Sequence, residues 1–295
     1  MGLEHAELPV VGRDPGGLTH GSHSACLIAD LFVGTSTEAQ YSTSAAGVNL
    51  LHRNRGNGYY DEISTTAISE LVTDTKGASW GDMDGDGDLD LFVANSNAAN
   101  EFYRNENQGT SFTRLTGAGI TSSADSRCVA WVDLDGDADL DLIVGNYGPL
   151  DDGSGNTPGV ANEIYRNNGN GAFTAITSCS CTGCICESRH TDQTIALALG
   201  DYNGDGLVDV FFAAENTPNL LYRNEGSFNF AITDTIVTRG STTASFDAAF
   251  GDYDGDGDLG ARVSSFVHSG ANAGLPAVGC DQKRRPHAWL CIARV

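Results

Sequence analysis

Basic residues are scarce in this chain. Sixteen Lys plus Arg stand against 39 Asp plus Glu, leaving 295 residues with a net charge of −23. That balance excludes a nucleic-acid partner, whose phosphates need a basic footprint. No window approaches 18 consecutive apolar residues, so no helix is expected to span a membrane. No segment keeps a helical period, so helices are not expected to build the core. The amino-terminal run MGLEHAELPVVGRDPGG has neither the basic nor the apolar region of a secretory leader. Ala6 stands where N-myristoylation requires Ser or Thr. Neither G-x-S-x-G nor H-E-x-x-H occurs, which removes two familiar hydrolase frameworks.

What is abundant is aspartate and glycine, gathered into recurring blocks. Four segments align: GDMDGDGDLDLFVAN from Gly81, VDLDGDADLDLIVGN from Val132, GDYNGDGLVDVFFAAEN from Gly200 and GDYDGDGDLG from Gly251. The leading aspartates, Asp82, Asp133, Asp201 and Asp252, are spaced by 51, 68 and 51 residues. The first three segments are each followed by a second block: NEFYRNENQGTSFT, NEIYRNNGNGAFT and NLLYRNEGSFNF. A fifth, degenerate copy precedes them, keeping ADLFVGTS and NLLHRNRGNGYYDEI. From Arg53, Arg104 and Arg223 to the next leading Asp is 29 residues in every case. Insertions of 11 and six residues, before and after the third copy of the second block, account for the interval of 68.

A period of about 50 residues made of short β-rich blocks is the signature of a propeller-like array. Each repeat reads as four strands: GASW or RCVAW, then LDLFVA or LDLIVG, then EFYRN or EIYRN, then SFTRL or AFTAI. The apolar runs LFVA and LIVG suit inner strands covered on both faces. The expected fold is all-β, a β-propeller of four-stranded blades with about five repeats. Residues 1–20 are unassigned, 21–259 carry the repeats, and 260–295 form a basic tail without the repeat pattern. That abrupt change of composition within a motif is read as an aberrant carboxyl terminus.

The spacing D-x-[DN]-x-D-G-x-x-D puts oxygens at loop positions 1, 3, 5 and 9. Ca²⁺ takes six to eight oxygens at roughly 2.3–2.6 Å, and a tight acidic turn can gather them. In the first loop the expected ligands are Asp82, Asp84, Asp86 and Asp90, with the carbonyl of Asp88. In the second they are Asp133, Asp135, Asp137 and Asp141, with Asp139. In the third they are Asp201, Asn203, Asp205 and Asp209, with Leu207. The fourth offers Asp252, Asp254, Asp256 and the carbonyl of Asp258, but its ninth position is Gly260, so weaker binding is expected. Position 12 is Val93, Val144, Phe212 or Val263, where an EF-hand needs a bidentate glutamate, so these are not EF-hands. Together the four loops hold 17 of the 39 acids, a clustering that needs cations to relieve its repulsion.

These blocks resemble the FG-GAP/VCBS repeats, the calcium-loop propeller repeats of integrin α chains and cartilage acidic protein-like proteins. The likeness covers roughly Ala29 to Leu259, with WGD at 80–82 and AFGD at 249–252 where the family places Phe-Gly before the loop. The resemblance implies a β-propeller, commonly seven-bladed, with Ca²⁺ between strands 1 and 2 of a blade, and an extracellular adhesion or protein-interaction role. Ser22, Ser24 and Cys26 replace the ligands of the degenerate first copy, leaving Asp30 alone and no ion expected there.

Strand order puts the Asp loops on one face and three long insertions on the other: Ser36 to Gly47, Pro149 to Ala161 and Thr177 to Gln193. Loops on a rigid scaffold are where recognition resides, so a protein or glycan partner is expected on the insertion face. Eight cysteines favour an oxidising, extracellular or cell-surface setting. Cys179, Cys181, Cys184 and Cys186 read as a disulfide-tied loop, with thiolate ligation of Zn²⁺ as the alternative. The leading functional expectation is a calcium-binding, non-enzymatic module for extracellular interaction or adhesion. The alternative is a glycan-binding or glycan-processing propeller, for which Glu101, Glu163, Glu215 and Glu225 are scattered candidate acids.

Overall fold

The computed structural model describes residues 30–35, 48–55, 58–63, 67–96, 98–106, 109, 111–120, 124–147, 160–169, 171–177, 185, 193–215, 218–233, 244–252, 255, 257–266 (without 256) and 290–294. Five sheets follow one another along the chain. The first holds β1 (Leu31–Val33), β2 (Leu50–Asn54) and β3 (Tyr60–Ile63). The second holds β4 (Thr75–Gly81), β5 (Asp90–Asn95), β6 (Glu101–Glu106) and β7 (Ser111–Arg114). The third holds β8 (Ser126–Val132), β9 (Asp141–Asn146), β10 (Glu163–Asn167) and β11 (Phe173–Ala175). The fourth holds β12 (Thr194–Gly200), β13 (Asp209–Ala214), β14 (Leu220–Asn224) and β15 (Phe230–Ile232). The fifth holds β16 (Ala244–Gly251), β17 (Gly260–Phe266) and β18 (Leu290–Arg294). One 3₁₀ turn, Ala67–Ser69, is the only helical piece among the described residues. This is the expected all-β propeller of four-stranded blades, with four strands in each of the middle three sheets and three described strands in the first and the fifth.

The register repeats with the sequence. Gly81 faces Asp90, Val132 faces Asp141, Gly200 faces Asp209 and Gly251 faces Gly260. Each of these four first strands carries an irregularity near its start, as between Thr75 and Gly77 or Ser126 and Cys128. Residues 260–266, which lie past the repeat pattern, pair as the fifth sheet's second strand, and β18 joins them in parallel rather than antiparallel.

The second strands are buried at every position because their alternate side chains enter different cores. Leu91 and Val93 pack towards the first sheet with Phe32 and Leu51, while Phe92 and Ala94 meet Leu142, Val144 and Tyr165 of the third. Ile143 then joins Val210 and Phe212 in the next gap, and Phe211 and Ala213 join Val263 in the last. A propeller thus has one core per gap between blades, and a run with no polar alternation is what two such gaps demand. First strands touch their successors directly: Trp131 Nε1 donates to Ser79 O at 3.2 Å. A Cβ on Gly81 would lie 2.5 Å from the Trp131 ring, and one on Gly200 3.0 Å from that of Phe250.

Candidate metal centres

Every Asp loop is wound around its own first carboxylate. Asp82 accepts from the amides of Gly85 and Gly87 at 2.8 and 3.0 Å. Asp133 accepts from Gly136 and Ala138 at 2.7 and 3.0 Å, Asp201 from Gly204 and Gly206 at 2.8 and 2.7 Å, and Asp252 from Gly255 and Gly257 at 2.7 and 3.0 Å. Satisfying two amides with one side chain curls the backbone so tightly that loop positions 4 and 6 sit at positive φ. Ala138, at φ 75°, is the non-glycine residue in that set.

The ninth-position acid anchors the loop from below. Asp90 accepts from the amides of Met83 at 2.9 Å and Asn105 at 2.8 Å, so one carboxylate ties the loop to the third strand. Asp141 does the same for Leu134 and Asn167, and Asp209 for Tyr202 and Asn224. All three are buried, and burial pushes them up: Asp90 to about 7, Asp141 and Asp209 to about 6. Asp30, in the degenerate first copy, keeps this anchoring role and accepts from Asn54 N at 2.8 Å.

The turns bring acids together. Asp82, Asp84 and Asp86 offer oxygens within 4.8 Å of one another, as do Asp133, Asp135 and Asp141. Asp84 is held above its ordinary value, first by burial and then by the charge of Asp86. Asp84 Oδ1 is buried and has no hydrogen-bond partner. An orphaned carboxylate oxygen among crowded carboxylates fits a hard, oxygen-seeking cation, so the residues present can hold a metal ion. The third loop has Asn203 in place of the central acid, and its Nδ2 donates to Asp205 Oδ2 at 2.9 Å. In the fourth loop Asp252 and Asp258 are described, whereas Asp254 and Asp256 lie outside the described residues.

Two sets of residues bear on the loops without having been singled out in the sequence. One is the asparagine of the Y-R-N block. Asn167 Nδ2 donates to Met83 O at 2.7 Å, in the preceding blade's loop, and to Leu140 O in its own. Asn224 Nδ2 repeats this on Leu134 O and Val208 O, both at 3.2 Å. The signal was present, since an asparagine recurs at one place after the Y-R pair in each third strand. The other is Arg166, whose Nη2 lies 3.1 Å from Asp135 Oδ2 and 3.2 Å from Asp137 Oδ2.

The four scattered glutamates have separate partners: Glu101 with the Tyr103 hydroxyl, Glu163 with that of Tyr165, Glu215 with that of Tyr147, and Glu225 with Arg223. On the face opposite the loops, Arg127 pairs with buried Asp125 at 2.7 Å and lies 4.8 Å from the Tyr147 ring centroid. The chain enters and leaves the three insertions on that face, but 36–47, 148–159 and most of 178–192, with the four clustered cysteines and His190, lie outside the described residues. So do residues 1–20. Cys128 carries no disulfide, and burial pushes its thiol up to about 12. No helix among the described residues is long and apolar enough to cross a membrane.

The model of the FG-GAP-like repeat matches residues 28–93, 82–144, 150–211 and 201–259. No curated protein gives a significant match. Among solved structures, the chain is similar to an Agrocybe aegerita lectin described as specifically recognising non-reducing terminal N-acetylglucosamine. The identity is 15%, the TM-score 0.49, and the match covers 79% of this chain and 56% of that one. The chain therefore spans little more than half the length of that structure.

Proposed function

The chain belongs to the FG-GAP-like repeat family, and from that premise we propose that it is a calcium-dependent, non-enzymatic propeller module that binds a protein partner outside the cell. The observation that carries the calcium reading is the unpartnered, buried Asp84 Oδ1 beside Asp82 and Asp86. Ca²⁺ would supply the charge that this turn lacks, held by Asp82, Asp84, Asp86, Asp90 and the Asp88 carbonyl in the second blade. Asp133, Asp135, Asp137, Asp141 and the Asp139 carbonyl are the counterparts in the third blade. In the fourth they are Asp201, Asn203, Asp205, Asp209 and the Leu207 carbonyl, and in the fifth an incomplete set around Asp252. The chain's own contribution is to hold these oxygens in place through the amides that each first and ninth aspartate gathers.

The non-enzymatic reading is supported by the glutamates, which are spread over three blades and engaged singly rather than as an acid–base pair. Recognition is assigned to the face opposite the loops because the three insertions emerge there, on a scaffold stiffened by ions from the other side. Thermal unfolding of the whole chain in EGTA and in Ca²⁺ tests the calcium reading. Extracellular Ca²⁺ modules bind at roughly 10⁻⁴–10⁻³ M, so the midpoint should rise and saturate across that range. A folded sample whose midpoint ignores Ca²⁺ would refute it. A glycan array then separates glycan recognition from protein recognition, and turnover in a hydrolase screen would overturn the non-enzymatic assignment.

A further inference from the structure

The blades differ at one place that bears directly on the loops. In the second blade Arg104 Nη2 lies 2.6 Å from Glu106 Oε1, and in the fourth Arg223 pairs with Glu225. The third blade has Asn168 at that position, and Asn168 Nδ2 donates to Ala172 O at 2.8 Å. Arg166 has no neighbouring carboxylate two residues on and turns instead to the loop, where it reaches Asp135 and Asp137. The contrast lies in the third-position acid. Asp84 has an oxygen with no partner, while its counterpart Asp135 is paired with a guanidinium.

We infer that Arg166 is a resident counter-ion of the Asp133–Asp141 loop, so that this loop takes Ca²⁺ more weakly than the Asp82–Asp90 loop and fills after it. The inference rests on the calcium reading above. A divalent ion entering the third blade's loop meets a cation already held by two of its prospective ligands, and must displace it or bind beside it against repulsion. The same ion entering the second blade's loop meets an arginine hydrogen-bonded to its own glutamate, which acts on Asp84 through space without a direct contact. The side chain of Arg166 is half exposed, so it can swing into water, which makes its effect a graded weakening rather than a block. One residue, Asn168 in place of glutamate, therefore makes two loops with the same five aspartates unequal.

Calorimetric titration of the calcium-stripped full chain with CaCl₂ tests this, using wild type, Arg166→Gln, Asn168→Glu and Asp135→Asn. Wild type should show a tighter class of sites and a weaker one that also holds the incomplete Asp252 loop, and Asp135→Asn should remove one site from the weaker class. Arg166→Gln removes the counter-ion, and Asn168→Glu supplies the carboxylate that draws it away. Each should tighten the weaker class roughly three- to tenfold, the size expected of two exposed charge contacts, and leave the tighter class unchanged. If every class moves together, net charge alone is responsible and the inference falls. It also falls if neither variant moves the weaker class. In both cases Ca²⁺ binding by wild type leaves the calcium reading standing. Absence of any Ca²⁺ binding by folded wild type removes both.

Discussion

Asn167 bonds through one side chain to the loops of two blades: its Nδ2 donates to Met83 O in the second blade's loop and to Leu140 O in the third's, while its main-chain amide donates to Asp141. Asn224 links the third and fourth loops in the same way. The Asp loops of the second, third and fourth blades are therefore joined in series rather than arrayed independently. An ion that tightens one loop restrains the atoms against which its neighbour is built.

Asn167→Ala removes those Nδ2 bonds and leaves buried carbonyls to be satisfied elsewhere. It should cost about 1–3 kcal/mol in a urea titration. It should also weaken Ca²⁺ binding by the second blade's loop, although Asn167 belongs to the third. A loss of stability with unchanged calcium binding would show that the link between loops is mechanical only.

Ala138→Gly should stabilise the chain. Ala138 occupies the left-handed region at φ 75°, where Gly87, Gly206 and Gly257 stand in the other loops. A Cβ there costs roughly 1–2 kcal/mol, and the greater freedom of glycine when unfolded returns part of it, leaving a gain of about 0.5–1 kcal/mol. Denaturant midpoints of the two proteins check this, and a lower midpoint for the glycine variant would contradict it.

Without calcium, stability should fall as pH rises from about 4 to about 7. Asp90, Asp141 and Asp209 are raised from 3.8 to about 7, 6 and 6 by burial. In that window the folded chain holds protons that the unfolded chain has released. The stabilisation is therefore full below the unfolded value and is lost as pH climbs through the folded ones. Melting in EGTA across this range should show the decline, and saturating Ca²⁺ should remove it by favouring the ionised carboxylates. A flat profile in EGTA would mean that the ninth-position acids ionise freely.

Gly81→Val should cost about 1–3 kcal/mol, because the space beside Gly81 is filled by Trp131 of the next blade. The third and fourth blades use another solution, with Val132 and Leu199 in the corresponding places and packed in one core. Combining Gly81→Val with Trp131→Leu should therefore be less harmful than the sum of the two changes. Additive costs in a double-mutant cycle would show that the pair does not act as a unit.

Much of this molecule was legible in the chain because its information is local and repeated. The Asp spacing dictates which carboxylates share a turn, and Asp82, Asp84 and Asp86 meet as expected. The unbroken apolar runs require strands covered on both faces, and β5, β9 and β13 are so buried. Asn167 and Arg166 were not legible as loop residues, because the carbonyl and carboxylates that they reach belong to another blade or to a turn 29 or more residues away. Nor did composition reveal that residues 260–266, with no aspartate at their head, continue the fifth sheet.

The sequence by itself determined the repeat, the strand pattern within it and the loops that gather oxygen, since each rests on spacing within a few residues. Only the tertiary structure decided which blade's asparagine braces which loop, and where an arginine two residues from Glu106, Glu225 or Asn168 turns its charge. Those choices depend on distances between segments far apart in the chain, and they appear only when neighbouring sheets share a core.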